Sequence, residues 1–263
     1  MAQRTGYFDD GQAYEQFMGR WSRAAGAVFL SWLTPPSRAR WLDLGCGTGV
    51  FTELVLDSCQ PSSMVAVDPT LAQIEHARCQ PVGKRVDFQV GDAQKLPFPD
   101  DAFDIVASAL VINFIPDRAL GLAEMRRITR AGGFIAGYVW DFAAERSPGS
   151  VLRVGLRQIG IEVPEVPGTA DSTVDALHKL FNQAGLDQIT TRTINVTIAF
   201  PSFDDFWKTQ TPVFNPVTKT VAALPESQRM RLMEQARALV SVNGDGHVAY
   251  SVRANAIKAR VPG

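Results

Sequence analysis

A chain of 263 residues, 46% hydrophobic and 20% charged, is long enough to bury a core as one large domain and falls in the globular class. Its 26 basic and 27 acidic residues give a formal net charge of −1, without the basic excess of a protein that lives on DNA or RNA, so no nucleic-acid partner is expected. The N-terminus carries no apolar leader, the most apolar early run (24–33) is too short to span a bilayer, and Cys46, Cys59 and Cys79 lack C-x-x-C spacing. A cytoplasmic protein with reduced thiols and no membrane partner is therefore expected.

In chain order, 1–39 reads as an N-terminal helical cap. Short β-rich runs follow: "RWLDLG" (40–45), "SMVAVD" (63–68), "VDFQVGD" (86–92), "FDIVASAL" (103–110) and "FIAGYVW" (134–140). Helical patterns fill the gaps, the arrangement of βαβ units with a parallel sheet covered on both faces. Asp117 is placed to cap a helix carrying Ala119, Leu122, Met125 and Ile128, with Gly132 and Gly133 ending it. Ser172 and Asp175 form a capping-box pattern before Val174, Leu177, Phe181 and Ala184, and Gly185 stops that helix.

Two further runs, "QITTRTINVTIAF" (188–200) and "HVAYSVRANAIKAR" (247–260), alternate like strands, for seven in all. Between them, 201–246 reads as helical. Ser202 and Asp205 cap a helix bearing Phe203, Phe206 and Trp207, and Pro225 suits the first position of another with Met230, Met233 and Val240 on one side. The expectation is one α/β domain over 1–263, with 201–246 a helical substrate lid inserted between the last two strands.

The chemistry concentrates in "LDLGCGTG" (42–49). No lysine follows Gly49, which excludes a phosphate-binding P-loop, and Val50 stands where a dinucleotide fingerprint has its third glycine. Asp43, Asp68 and Asp92 lie at or near the ends of three successive strands. Three carboxylates repel a pyrophosphate and suit a ligand offering an ammonium group, a ribose diol and an adenine amine.

Together with "VAVD", "GDAQKLPFPDDAFD" and the "AGG" before the fifth strand, these residues resemble the class I S-adenosylmethionine-dependent methyltransferases. Within them, they are most similar to the branch of the ubiquinone/menaquinone C-methyltransferases. The resemblance is strong over about 40–140 and thin beyond. It implies a Rossmann-like sheet and S-adenosyl-L-methionine as cofactor. It also implies roles. Gly45 and Gly47 meet the methionine part, and Asp43 helps hold its amino group. Asp68 accepts from the ribose hydroxyls and Pro69 lies against the adenine. Asp92 and the Ala93 backbone take the adenine edge, and Ser108 sits under the methionine chain. Tyr14 and Arg20 close over the cofactor, Arg20 on its carboxylate.

The acceptor is expected just past the fourth and fifth strands, where open α/β sheets bind ligands. Asn113, Trp140 and Asp141 are candidates there, and Phe206 and Trp207 of the insert are candidates for an apolar wall. Aligning the reactants can supply roughly 7–11 kcal/mol without a covalent step, so no catalytic residue is assigned. His76, His178 and His247 are scattered, with no metal-ligand spacing, and no metal is expected. The expected reaction is in-line methyl transfer to a small-molecule acceptor. An NAD-dependent oxidoreductase and a catalytically silent cofactor-binding protein are the alternatives.

Overall fold

The computed structural model describes residues 11–213 and 215–263, with side chains from Phe17 onward. Helix α1 (Gly11–Leu33) leads into β1 (Arg40–Leu44), α2 (Val50–Cys59), β2 (Ser63–Asp68), α3 (Leu71–Cys79), β3 (Asp87–Val90) and β4 (Phe103–Ala109). Then come α4 (Arg118–Ile128), β5 (Thr129–Trp140), α5 (Ser150–Gln158), α6 (Val174–Gln183) and β6 (Asp187–Phe200). Helices α7 (Phe203–Gln210), α8 (Pro216–Ala222) and α9 (Glu226–Ala238), the two-residue β7 (Ser241–Val242) and β8 (Val248–Arg260) complete the chain.

The strands lie in the order β3-β2-β1-β4-β5-β8-β6, with β7 alongside β8. The first five are parallel, and β8 runs antiparallel to both β5 and β6. This is the mainly parallel, doubly covered α/β sheet that the strand pattern predicts. Neighbouring residues in the central strands feed opposite layers. Ile105 and Ala107 join the core under α1, α2, α5 and α7–α9, whereas Val106 joins the core under α4 and α6. Among the described residues, no helix is long and apolar enough to cross a membrane.

Several local expectations are corrected. Gly132 and Gly133 do not end α4; Thr129 does, and both glycines lie inside β5, where the pairing with β4 slips between Thr129 and Phe134. Gly132, at φ +69°, takes the turn of that irregularity. Helix α6 is capped by Thr173, whose hydroxyl accepts from the Ala176 amide at 3.1 Å. Ser172 is buried instead and accepts from the amides of Phe142 and Ala143. Pro225 precedes α9 as its cap; Met230 is exposed, whereas Met233 and Val240 are partly buried against the core beside the fully buried Leu232 and Ala236. Helix α5 has no counterpart in the sequence reading. Its interior Gly155 is a poor helix residue, but a Cβ there would lie 2.7 Å from Leu232 of α9, so the helix crossing demands it.

Candidate functional site

Two adjoining cavities open at the carboxyl ends of the parallel strands. The first is lined by the loop from Gly45 to Thr48, by Asp68, Pro69, Thr70 and Gln73, by Gly19 and Ser22 of α1, and by Tyr138 of β5. Its glycines are there for backbone reasons. Gly45, Gly47 and Gly49 all have positive φ, at +81°, +52° and +87°. A Cβ on Gly45 would fall 2.5 Å from Val111, whereas one on Gly47 would meet only Gln73 Oε1, at 4.0 Å. The loop thus closes tightly behind Gly45 and presents an open backbone face at Gly47.

Carboxylates set the polarity of this cavity. Asp68 Oδ2 accepts from the Gly47 amide at 3.0 Å and Oδ1 from the Thr70 amide at 2.9 Å, which pins the carboxylate at the strand end. Asp43 lies beneath the loop with no solvent exposure. Its Oδ2 accepts from Thr52 Oγ1 at 2.6 Å, and Oδ1 is a buried oxygen without a partner among the described residues. Burial, opposed by the Thr52 hydrogen bond and reinforced by Asp68, pushes the Asp43 carboxyl up to about 7. An ammonium group brought to this loop would relieve that cost, so an orphaned acid, a pinned acid and a Cβ-free backbone together fit an amino-acid-bearing nucleoside.

The second cavity is walled by Phe17 and Met18 of α1, Trp140 at the end of β5 and Phe142 after it, Ser147, Pro148, Gly149, Leu152 and Arg153 around the start of α5, Val166, and Asn215, Val217 and Thr218 at the start of α8. Leu110 and Phe114 line both cavities. Leu110 has φ +64°, a conformation that costs a non-glycine residue energy and tends to persist at functional positions.

The structure brings Gly45, Gly47, Asp68 and Pro69 to the first cavity and Trp140 to the second. The remaining expectations are placed differently. Arg20 is exposed, its guanidinium 5.2 Å from the centroid of the Phe200 ring, because Trp21 takes the inward position on α1; Gly19 and Ser22 face the cavity instead. Asp92 is exposed and accepts from the Gln94 amide at 2.9 Å, and neither it nor Ala93 is among the lining residues. Ser108 and Asn113 are wholly buried, the latter donating to Pro167 O at 3.2 Å.

Asp141 is no open acid: it is 5% exposed and its Oδ2 accepts from Arg253 Nε at 2.8 Å. Phe206 packs in the core against Phe200 and Tyr250, and Trp207 stacks on Phe203, so neither reaches the second cavity. The Tyr14 side chain lies outside the described residues. Residues not foreseen, Gly19, Ser22, Gln73 and Tyr138, come from elements remote in sequence from the glycine loop.

Residues 42–137 match the family model described as a methyltransferase domain. A demethylmenaquinone methyltransferase of Roseiflexus castenholzii is 36% identical over 121 residues, 46% of this chain and 49% of that protein. The chain thus spans about half the length of that curated relative. A ubiquinone/menaquinone biosynthesis C-methyltransferase of Dinoroseobacter shibae is 27% identical over 69% of this chain and 78% of its own. Among solved structures, a phosphoethanolamine N-methyltransferase of Haemonchus contortus in complex with S-adenosyl-L-methionine superposes with a TM-score of 0.60 at 19% identity, over 99% of this chain and 59% of that one. The glycine loop and Asp68 lie within the part of the chain, residues 42–137, that is similar to a methyltransferase domain.

Proposed function

We propose that the protein transfers a methyl group from S-adenosyl-L-methionine to a small, largely apolar acceptor held in the second cavity. The observation that carries this reading is the shared wall: Leu110 and Phe114 line both cavities, so ligands in the two would meet there.

Bound in the first cavity, S-adenosyl-L-methionine would supply an electrophilic methyl group, and the chain's part is to hold and align. Asp68 would take the ribose diol, Asp43 would face the amino group from below, and the open backbone of Gly47 would admit the methionine chain. Phe17, Trp140 and Phe142 would hold the acceptor and exclude water, and alignment of this kind is worth roughly 7–11 kcal/mol. The α8 residues in the wall support a lid role for 201–246, and the α1 residues support a cap role for the N-terminal helix.

Calorimetry with S-adenosylmethionine and S-adenosylhomocysteine, followed by incubation with methyl-tritiated cofactor and a panel of phenols, quinols, amines and carboxylates, tests the reading. Label is expected in a low-molecular-weight product. Val217→Trp, which fills the second cavity from α8, is expected to abolish transfer while leaving S-adenosylhomocysteine binding intact. Cofactor binding with no label transferred to any class would overturn the reading.

A further inference from the structure

Trp140 is the last residue of β5, and side chains alternate along that strand. With Ala136 and Tyr138 it joins the core under α1 and α5, whereas Ile135 and Val139 face the opposite layer. On that side Trp140 lines the second cavity. The residue is 3% exposed, and its Nε1 is buried without a hydrogen-bond partner among the described residues.

The position of the ring is fixed by its backbone. Trp140 pairs with Ala254 of β8, and the Phe142 amide donates to Trp140 O at 2.9 Å. Other polar side chains of the same wall are engaged in shaping the chain. Asn215 Oδ1 accepts from the Thr218 amide at 3.0 Å, Ser147 Oγ lies 2.9 Å from Ser150 Oγ, and Arg153 Nη2 donates to Pro164 O at 2.6 Å.

A buried donor left unpaired costs its full desolvation penalty, and a phenylalanine would furnish an aromatic wall without that cost, as Phe142 does in the same cavity. An indole N–H donates and never accepts, so its complement is an oxygen lone pair. An ammonium group there would set donor against donor. In a mostly apolar pocket, a few such groups fix the orientation of the ligand.

We propose that the methyl acceptor is an apolar molecule bearing a carbonyl or phenolic oxygen, and that the Trp140 indole N–H donates to that oxygen. The bond would select such a molecule over a hydrocarbon or an amine of the same shape. It would also stop the rotation of an otherwise featureless ligand, as in-line transfer requires. This rests on the reading of the second cavity as the acceptor site.

The test uses the protein saturated with S-adenosylhomocysteine and two probes of one shape, 2-acetylnaphthalene and 2-isopropenylnaphthalene, in which a methylene group replaces the carbonyl oxygen. Each displaces the fluorescent reporter N-phenyl-1-naphthylamine. Trp140→Phe loses ring area, which both probes feel, and the N–H, which only the ketone feels. It should therefore weaken the ketone about fivefold more than the alkene. The infrared carbonyl stretch of bound 2-acetylnaphthalene should lie below its position in hexane for the wild type and return to it in Trp140→Phe.

Retained S-adenosylhomocysteine binding reports that the variant is folded, and the infrared measurement on the wild type needs no variant. A wild-type stretch equal to that in hexane, or an equal loss of both probes in Trp140→Phe, overturns the role of Trp140 and leaves the cavity assignment standing. If S-adenosylhomocysteine binds and neither probe does, or if the probes bind undiminished to Val217→Trp, the cavity assignment falls and this proposal falls with it.

Discussion

Asp43 and Thr52 meet in a wholly buried hydrogen bond, Thr52 Oγ1 donating to Asp43 Oδ2 at 2.6 Å, beneath the glycine loop. The bond joins the end of β1 to the first turn of α2, so the loop between them is anchored on both sides by one acid. Because burial outweighs that bond, the acid's pKa rises to about 7.

A raised carboxyl pKa has a defined sign in stability. The folded state holds a proton that the unfolded state releases near pH 4, so the contribution is complete below that pH and is lost as pH rises toward 7. Between pH 5 and 8 the loss is about 3 kcal/mol. Asp43→Asn removes this dependence, so urea denaturation should show a shallower fall in stability over that interval than the wild type. Parallel curves for the two proteins would refute the assignment.

Gly45 and Gly160 separate two costs. Both have strongly positive φ, +81° and +84°, but a Cβ on Gly160 meets nothing within 4 Å, while one on Gly45 collides with Val111. Gly160→Ala should cost only the left-handed backbone penalty, about 1–2 kcal/mol. Gly45→Ala adds displacement of Val111, which lines the first cavity, and on the proposed reading should weaken S-adenosylhomocysteine binding at least about tenfold, the equivalent of 1.4 kcal/mol. Melting temperatures and calorimetry on both variants check the contrast; equal binding by the two would count against it.

Asp141 also carries a prediction that its sequence position does not suggest. Its Oδ1 accepts from the Ala144 amide at 3.0 Å and its Oδ2 is 2.7 Å from Arg253 Nη2. Removing one partner of a buried pair costs about 3–5 kcal/mol, reduced here because the Arg253 side chain is 34% exposed. Asp141→Ala should lower stability by about 2 kcal/mol, and an enzyme assayed below its melting range should keep its pH–rate profile. A profile that loses its acidic limb would instead make Asp141 a base.

What the sequence makes legible, and what it conceals, follows from distance along the chain. The glycine loop and Asp68 are neighbours of strand ends whose apolar runs announce themselves, so their convergence follows from the βαβ pattern. Asp141 looks like a loop acid because its partner Arg253 lies 112 residues away, and only the antiparallel pairing of Trp140 with Ala254 sets the two side by side. Arg20 and Trp21 are adjacent letters, and which one faces inward depends on how α1 rotates against Phe200 and Tyr250. Phe206 and Trp207 illustrate the same limit: an aromatic stripe has the same spacing whether it fills a core or lines a pocket. Helix α5, with Arg153, stays hidden because Gly155 weakens its local signal.

Leu110 offers the last test, since its strain and its side chain can be separated. Its amide donates to Tyr138 O at 2.7 Å, which holds the residue at φ +64° where β4 ends. Glycine is ordinarily about 1 kcal/mol worse than alanine, but a left-handed backbone costs alanine about 1–2 kcal/mol that glycine avoids. Both Leu110→Ala and Leu110→Gly lose the buried side chain, so both should be less stable than the wild type by about 2–5 kcal/mol. The usual order should invert, with Leu110→Gly matching or exceeding Leu110→Ala in denaturant midpoint. Removing the side chain also opens the wall shared by the two cavities, so methyl transfer should fall in both variants, with turnover reduced more than S-adenosylhomocysteine affinity. If Leu110→Ala is the more stable variant by the ordinary margin, the residue is not strained. If turnover and affinity fall together, the shared wall holds the cofactor rather than aligning the two ligands.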